Sequence, residues 1–399
     1  MNNSPCSVST AICKSKQHSL HAHDRRQDSV ETTVIAHAQG FTLIENAYWK
    51  NHTWYFVSSR TWAFPELKYI LTNSPDNNQH PEFHDGLAKL VSPVEAQYLG
   101  LYLDEVEVVE GSTLIFNDKT FLDHFYHLVG EMFLGAWRVY TSVLVNPFEQ
   151  KSTLVKGKSV IDQLPPIERF IFSHANPDKV FDHARLNQFF LGSVFPRAAL
   201  EFKEEWQARA NSLKLFRFDM VTIADRWSGH MDWSPKPMDR AFRLPVPSNW
   251  IHDLKQPILR NYKGPVSLKD PSHAKSKPVI TYLSRQDAVH RTLTAEAHEL
   301  LVAGLKALEK EDFAEVNIEE FNDATPKDEQ VTKLSRTTIF VALHGNGLTN
   351  LIWMSPDALG RSAVYEIQQP GMFSDDYAIL SEALGMEHWI IGGRNKELE

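Results

Sequence analysis

Between Pro278 and Ile367 short apolar runs alternate with helical patterns, and this alternation restricts the fold more than any other feature of the chain. "PVITYL", "FAEVNIEEF", "TTIFVAL" and "SAVYEI" read as strands. Between them Ala297, Leu300, Leu301, Leu305 and Leu308 fall on one helical stripe. Thr325-Pro326 offers an N-cap and a first helical residue for "PKDEQVTKLSR", and "GLTNLIWM" reads as a short helix. Strands joined through helices pair in parallel, because the chain must cross the sheet face before it can run the same way again. The expectation is an α/β protein whose C-terminal half is a doubly wound parallel sheet.

The rest of the chain is organised less regularly. Residues 1–38 are rich in Ser, His, Lys, Arg and Gln with little hydrophobic periodicity, so a flexible tail is expected there. Residues 39–245 mix both element types: "WYFVS" and "EVEVVEGSTLIF" read as strands, and Thr120 to Val145 as a long helix. Residues 246–277 carry Pro and Lys with little apolar pattern and read as a linker to a C-terminal domain at 278–399. The N-terminus lacks the apolar core of a signal peptide, and no apolar run reaches the roughly 20 residues of a membrane span. Asn51-His52-Thr53 fits the N-glycosylation sequon.

Composition excludes several classes. The chain has 399 residues, 42% of them hydrophobic and 11% aromatic, which suffices for a substantial core. Lys plus Arg number 41 against 50 Asp plus Glu, a net charge of -9, so no global positive field recruits nucleic acid and any anion must be held by a local cluster. The two cysteines, Cys6 and Cys13, lie in the polar N-terminal segment, which leaves the folded body without a thiol for a disulfide, a zinc-thiolate site or a cysteine nucleophile.

Four stretches bear chemistry. In "VALHGNGLTNLIWM" a strand meets a helix through His344-Gly345-Asn346-Gly347, at the carboxyl end of the strand where open α/β sheets bind ligands. Glycines there let backbone approach an anion and the helix start offers N–H groups, although a turn that merely needs glycine has the same sequence. "YLSRQDAVHRTL" leaves the same edge, so Arg285 and Arg291 either converge on one diphosphate or lie solvated in a loop, with His290 at the surface. In "FLDHFYHLVGEMFLGAW", Leu122, Phe125, Val129, Met132, Phe133 and Ala136 form an apolar stripe, while His124, His127 and Glu131 share another face. Those three suit a metal site, a general base with an orienting partner, or polar contacts in a core. Glu366, at the end of the strand after the glycine turn, is placed either to accept from sugar hydroxyls or to face solvent. Asp225-Arg226 ends "FDMVTIA" as a substrate contact or a plain turn. No D-x-D triplet occurs to chelate a metal for a nucleotide diphosphate.

Together "DHFYHLVGE", "ITYLSRQDAVHR", "VALHGNGLTNLIWM", "AVYEI" and "DYAILSEALGM" resemble glycosyltransferase family 61, its fungal members in particular, in order and spacing from about Gly40 to the C-terminus. The resemblance implies a GT-B-like enzyme: two Rossmann-like domains with a cleft between them, residues 39–245 on the acceptor side and 278–399 binding the nucleotide sugar. It implies inverting transfer of a sugar, xylose or N-acetylglucosamine, from a UDP-sugar to a hydroxyl of a glycan or glycoprotein. Arg285, Arg291, His344, Gly345, Asn346, Gly347, Leu348 and Thr349 become the donor cradle, Glu366 a ribose or sugar contact, and His127 or Glu131 the base. His124 stands where the family usually has Asn, and His290 where it often has Arg. With two arginines on the diphosphate, catalysis is expected to need no metal and no cofactor besides the donor. The family's typical location is the Golgi or secretory lumen; the absence of an anchor in this chain leaves the cytoplasm as the other expectation. The other functional readings are an inactive nucleotide-sugar-binding protein of the same fold, a metal-dependent hydrolase built on His124, His127 and Glu131, and a purely structural α/β protein.

Overall fold

The computed structural model describes residues 31–76, 80–101, 106–146, 151–153, 155, 159–233, 236–261, 277–288, 290–322, 324–354 and 362–392. The chain divides into two compact units that interleave along the sequence. The first takes in the chain up to Leu122, Met132–Val180 and Arg197–Trp250, the second Asp123–Glu131, Phe181–Pro196 and Ile251 onward. Most of the expected tail, with both cysteines, falls outside the described residues, but Thr33–Ala38 is already a strand.

In the first unit eight strands make one mixed sheet: β1 (Thr33–Ala38), β2 (Phe41–Lys50), β3 (Thr53–Val57), β4 (Ala88–Val91), β5 (Glu107–Phe116), β6 (Ile167–Phe172), β7 (Ala199–Glu201) and β8 (Phe216–Ala224). Their order is β4-β3-β2-β8-β5-β6-β7, with β1 on β2. β8, β5, β6 and β7 run parallel, whereas β2 is antiparallel to β1, β3 and β8. β2 turns into β3 through Asn51 and His52, both with positive φ, the backbone that a two-residue hairpin consistent with strand twist demands. The sequon is therefore an exposed hairpin turn. An aromatic cluster of Trp49, Trp54, Trp206 and Phe218 fills one face, with the Trp49 and Trp206 rings 4.0 Å apart. Helix Leu134–Ser142 packs with Gly135 against the Phe41 ring, where a Cβ would come within 2.4 Å of ring carbon.

The expected helix from Thr120 to Val145 is shorter and less regular. Phe121 adopts a left-handed backbone, a π-helical stretch spans Tyr126–Phe133, and ordinary α-helix follows to Ser142. All six residues of the expected stripe are buried.

The second unit contains a five-stranded, wholly parallel sheet: β9 (Val279–Leu283), β10 (Glu315–Glu319), β11 (Ile339–Leu343), β12 (Ala363–Gln368) and β13 (Glu387–Gly392), in the order β10-β9-β11-β12-β13. The four expected strands are present, and β13 is a fifth, with Trp389 and Ile391 exposed. Helices Ala295–Lys310, Lys327–Arg336 and Asp376–Ala383 and a 3₁₀-helix Asn346–Trp353 make the connections. The unit's own strand order is thus 2-1-3-4-5, which reverses direction between β9 and β11 and opens a crevice at their carboxyl ends.

Three local expectations need correction. On helix Ala295–Lys310, Leu300 is 67% and Leu308 38% exposed, and the inward face is His298, Leu301, Val302 and Leu305. The His298 ring belongs to that face, 5.8 Å from that of Tyr282. Pro326 is itself the N-cap of Lys327–Arg336, one residue later than expected for Thr325. Within the expected linker, His252–Asn261 is a helix that buries Leu254 and Ile258 on one face; residues 262–276 lie outside the described residues. No helix among the described residues is long and apolar enough to cross a membrane.

Candidate functional site

The site grows from the two loops that leave β9 and β11. After Leu343 the chain passes His344 and enters Gly345 with φ of 148°, a backbone that side chains disfavour. Space forbids a side chain as well: a Cβ on Gly345 would lie 2.2 Å from Nη1 of Arg285 and 3.3 Å from Nη1 of Arg291. Both guanidinium groups therefore meet at one point of backbone, over the turn and in the crevice. Among the described residues neither arginine has a carboxylate partner. Burial, and after it the positive charge of Arg291, hold the Arg285 guanidinium below its ordinary range. Two cations pressed together without an anion form a site that an anion would relieve.

The loop that carries Arg291 is fastened. Gln286 Nε2 donates to the Leu293 carbonyl (3.2 Å) and Leu293 N–H donates to Gln286 Oε1 (3.1 Å), bridging the loop below Arg291, whose backbone is left-handed. Gln286 carried no sequence signal, since a glutamine in a loop reads as solvated.

On the other loop, the 3₁₀-helix leaves the N–H groups of its first residues, Asn346 and Gly347, without internal acceptors. Leu348 and Thr349, expected to bind donor, are buried. The Leu348 N–H is spent on the Gly345 carbonyl (2.9 Å), and Thr349 Oγ1 donates to Asn346 Oδ1 (3.4 Å). Thr349 thus supports Asn346, whose Oδ1 also accepts from the Tyr126 N–H (3.0 Å), leaving its amide nitrogen as the group available to a ligand.

Glu366 needs a further correction. It has no exposed surface: Oε1 bonds to His344 Nδ1, and Oε2 lies 3.0 Å from His388 Nε2 without a well-aligned hydrogen bond among the described residues. It is therefore a buried group that holds His344 rather than a carboxylate exposed at the strand end. Burial pushes its carboxyl up, the nearby His344 and His388 bring it down by more, and it ends below its ordinary range. His388 was not foreseen, because nothing in "EHWIIG" marks it.

The segment Asp123–Glu131 is tied to the same turn within the second unit. Besides the Tyr126 N–H bond, the Tyr126 ring packs 5.0 Å from that of Tyr377, and the Tyr377 hydroxyl donates to the Gly345 carbonyl at 2.7 Å. Burial raises the Tyr377 phenol, so it stays a donor. Gly130 leaves just enough room: a Cβ there would meet Tyr126, Leu380 and Thr349 atoms at 3.3–3.4 Å. Tyr126 and Tyr377 lie in recognised stretches, but their joint role requires the fold.

His127 Nδ1 lies 2.9 Å from Glu131 Oε2, and Glu131 is 3% exposed while the His127 side chain is 29% exposed. The carboxylate orients the imidazole through Nδ1. His124 precedes the π-helical stretch and is exposed, and its ring stands edge-on to that of His127 with centroids 5.9 Å apart. Among the described residues no three His, Cys, Asp or Glu side chains group as a metal-ligand set.

A second polar cluster lies in the first unit, after the parallel strands β5, β6 and β8. Asp225 caps helix Arg226–His230 and accepts from Ser228 N–H (2.7 Å), Thr72 N–H (2.6 Å) and Asn117 Nδ2 (2.7 Å). Burial pushes its carboxyl up to about 6. Arg226 is buried and pairs with buried Asp118 at 2.9 Å. This is a structural joint, and the turn reading of Asp225-Arg226 fits it.

A family model for Glycosyltransferase 61 matches residues 125–360, more than half of the chain. The chain belongs to glycosyltransferase family 61. In this family-61 chain the matched span takes in His127, Glu131, both arginines and the glycine turn; Glu366, Tyr377 and His388 follow it. No curated protein matches the chain.

Proposed function

We propose that this family-61 protein transfers a sugar from a UDP-sugar, UDP-xylose or UDP-N-acetylglucosamine, to a hydroxyl of a glycan or glycoprotein with inversion, using a GT-B arrangement, in the Golgi or secretory lumen. The observation that carries the proposal is the meeting of Arg285 and Arg291 over Gly345, with no carboxylate partner among the described residues, at the switch point of a parallel sheet.

In this reading the diphosphate lies against the two guanidinium groups and the N–H groups of Asn346 and Gly347. The acceptor oxygen forms a bond to the anomeric carbon as the bond from that carbon to the β-phosphate oxygen breaks, and the bonding pair leaves with the phosphate. The acceptor proton goes to the His127 imidazole, and buried Glu131, bonded to it at Nδ1, stabilises the imidazolium so formed. Preorganised donors facing developing charge are worth about 3–4 kcal/mol each, so the arginines supply the stabilisation that a divalent ion gives elsewhere. Metal-independent transfer is part of the proposal.

The test is acceptor-dependent UDP release from UDP-sugars in EDTA, with His127→Ala beside the wild type. Turnover that falls about 10²- to 10⁴-fold in the variant, while UDP binding persists, is the expected result. Activity that vanishes in EDTA and returns only with manganese would overturn the metal-free mechanism. UDP binding with no transfer from any donor would reduce the protein to a binding module.

A further inference from the structure

His344, Glu366 and His388 form a chain that a diphosphate cradle alone does not require. We propose that Glu366, backed by His388, makes His344 a proton-coupled third cation of the cradle, so that binding of a nucleoside diphosphate draws one proton onto His344. The inference rests on the donor-cradle reading above and adds a positioning pair to it.

The argument is one of donors and acceptors. An ionised carboxylate only accepts, so His344 Nδ1, bonded to Glu366 Oε1, must hold its proton. The imidazole atom that remains is Nε2, on a side chain 25% exposed. In the neutral ring with Nδ1 protonated, Nε2 is an acceptor, and so is every oxygen of a diphosphate ion. Two acceptors cannot bond. A phosphate oxygen therefore engages Nε2 only if a proton arrives there, giving an imidazolium that donates to phosphate from Nε2 and to Glu366 from Nδ1. The proton comes from solvent, and no covalent bond to carbon or phosphorus changes.

The surroundings set the balance. Arg285 and Arg291 meet at the neighbouring Gly345 and oppose charge on His344, and a diphosphate would cancel that opposition. Glu366 from β12 favours the charge. His388 from β13 lies 3.0 Å from the far oxygen of Glu366 and favours its ionised form. Tyr377, from helix Asp376–Ala383, places its ring 5.6 Å from His344 and donates to Gly345, adding no charge; Asp376 lies behind Tyr377. A carboxylate buried between two imidazoles is costly to desolvate, and a merely structural contact could be made by an apolar group. Setting the proton position on His344 gives the buried charge a use.

The experiment is calorimetric titration of the whole chain with UDP in EDTA at about pH 7.5, a unit above an unperturbed histidine. It is run in two buffers of different ionisation enthalpy, for wild type, His344→Gln, Glu366→Gln and His388→Asn, each checked by thermal melting. Wild type is expected to take up close to one proton more per UDP than His344→Gln. Its affinity is expected to fall about tenfold per pH unit above the histidine's titration, and to be flat in His344→Gln. Glu366→Gln removes the uptake while both arginines remain; His388→Asn, which touches no ligand, reduces it should Glu366→Gln fail to fold. Wild-type UDP binding with the same proton count as His344→Gln overturns the coupling and leaves the cradle standing. Failure of wild type to bind UDP overturns the cradle itself, and the coupling with it.

Discussion

At the scale of single residues, Gly345 explains why the turn is spelled with glycine. Its φ of 148° and the arginine nitrogen 2.2 Å from a would-be Cβ make Gly345→Ala both strained and obstructive. The variant should lose about 1–3 kcal/mol of stability, read from denaturant midpoints, and Arg285 should be displaced, so that UDP affinity falls further than that strain alone dictates. Gly345 was legible as a turn glycine because His344-Gly345-Asn346-Gly347 follows an apolar strand. Glu366 was legible as a strand-end carboxylate but not as the partner of two histidines, because His344 and His388 reach it from different strands. No spacing in the sequence encodes that encounter.

At the scale of elements, each loop at the crevice is held by a partner that local pattern hides. Gln286 closes its loop through two bonds to Leu293. Gln286→Ala should cost about 1 kcal/mol or less in stability, since the site is only part-buried, yet weaken UDP binding by freeing Arg291. Unchanged UDP affinity would show that Arg291 needs no such tether. Helix His252–Asn261 carries a sharper oddity. Lys255 is buried, its ammonium donates to the Met354 carbonyl after the 3₁₀-helix, and burial lowers it to about 7. The folded chain therefore holds fewer protons there than the unfolded chain between about 7 and the ordinary lysine value of 10.5, and stability contributed by this group rises with pH across that window. Lys255→Met should gain about 1–4 kcal/mol near pH 7, the range for replacing buried charge by an apolar residue of similar volume. That advantage should shrink by about pH 9.5, and a gain independent of pH would contradict the burial account. Periodicity missed the helix because only Leu254 and Ile258 mark it, around an internal Pro257.

At the scale of the molecule, the parallel half could be read in advance and the mixed half could not, for one reason. In the second unit each strand is followed by a helix, so sequence order nearly determines pairing, and the loops after "PVITYL" and "TTIFVAL" could be assigned to one sheet edge. In the first unit β8 pairs with both β2 and β5, partners that lie far apart in the chain. Such pairing is decided by tertiary packing around Trp49, Trp54 and Trp206 rather than by local alternation. The same limit applies to the segment Asp123–Glu131, which sequence order assigns to the first half but which packs in the second unit. Its placement brings His127 and Glu131 into the unit that holds the arginine pair. Asp225 shows the reverse case: its cluster falls at strand ends, where ligands bind in such sheets, yet its oxygens are taken by Thr72, Asn117 and Ser228. Asp225→Ala should accordingly cost about 1–3 kcal/mol in stability, the penalty for buried donors left unsatisfied, and leave UDP binding intact.

The measurement that bears most directly on the central claim is calorimetric titration of the protein with UDP in EDTA, set against Arg285→Ala. The account predicts micromolar binding in the wild type, a loss of about 10²-fold or more in the variant, and no change when manganese is added, as befits removal of a charge-assisted, bidentate contact worth about 3 kcal/mol. Equal binding by wild type and Arg285→Ala, or binding that requires manganese, would contradict it.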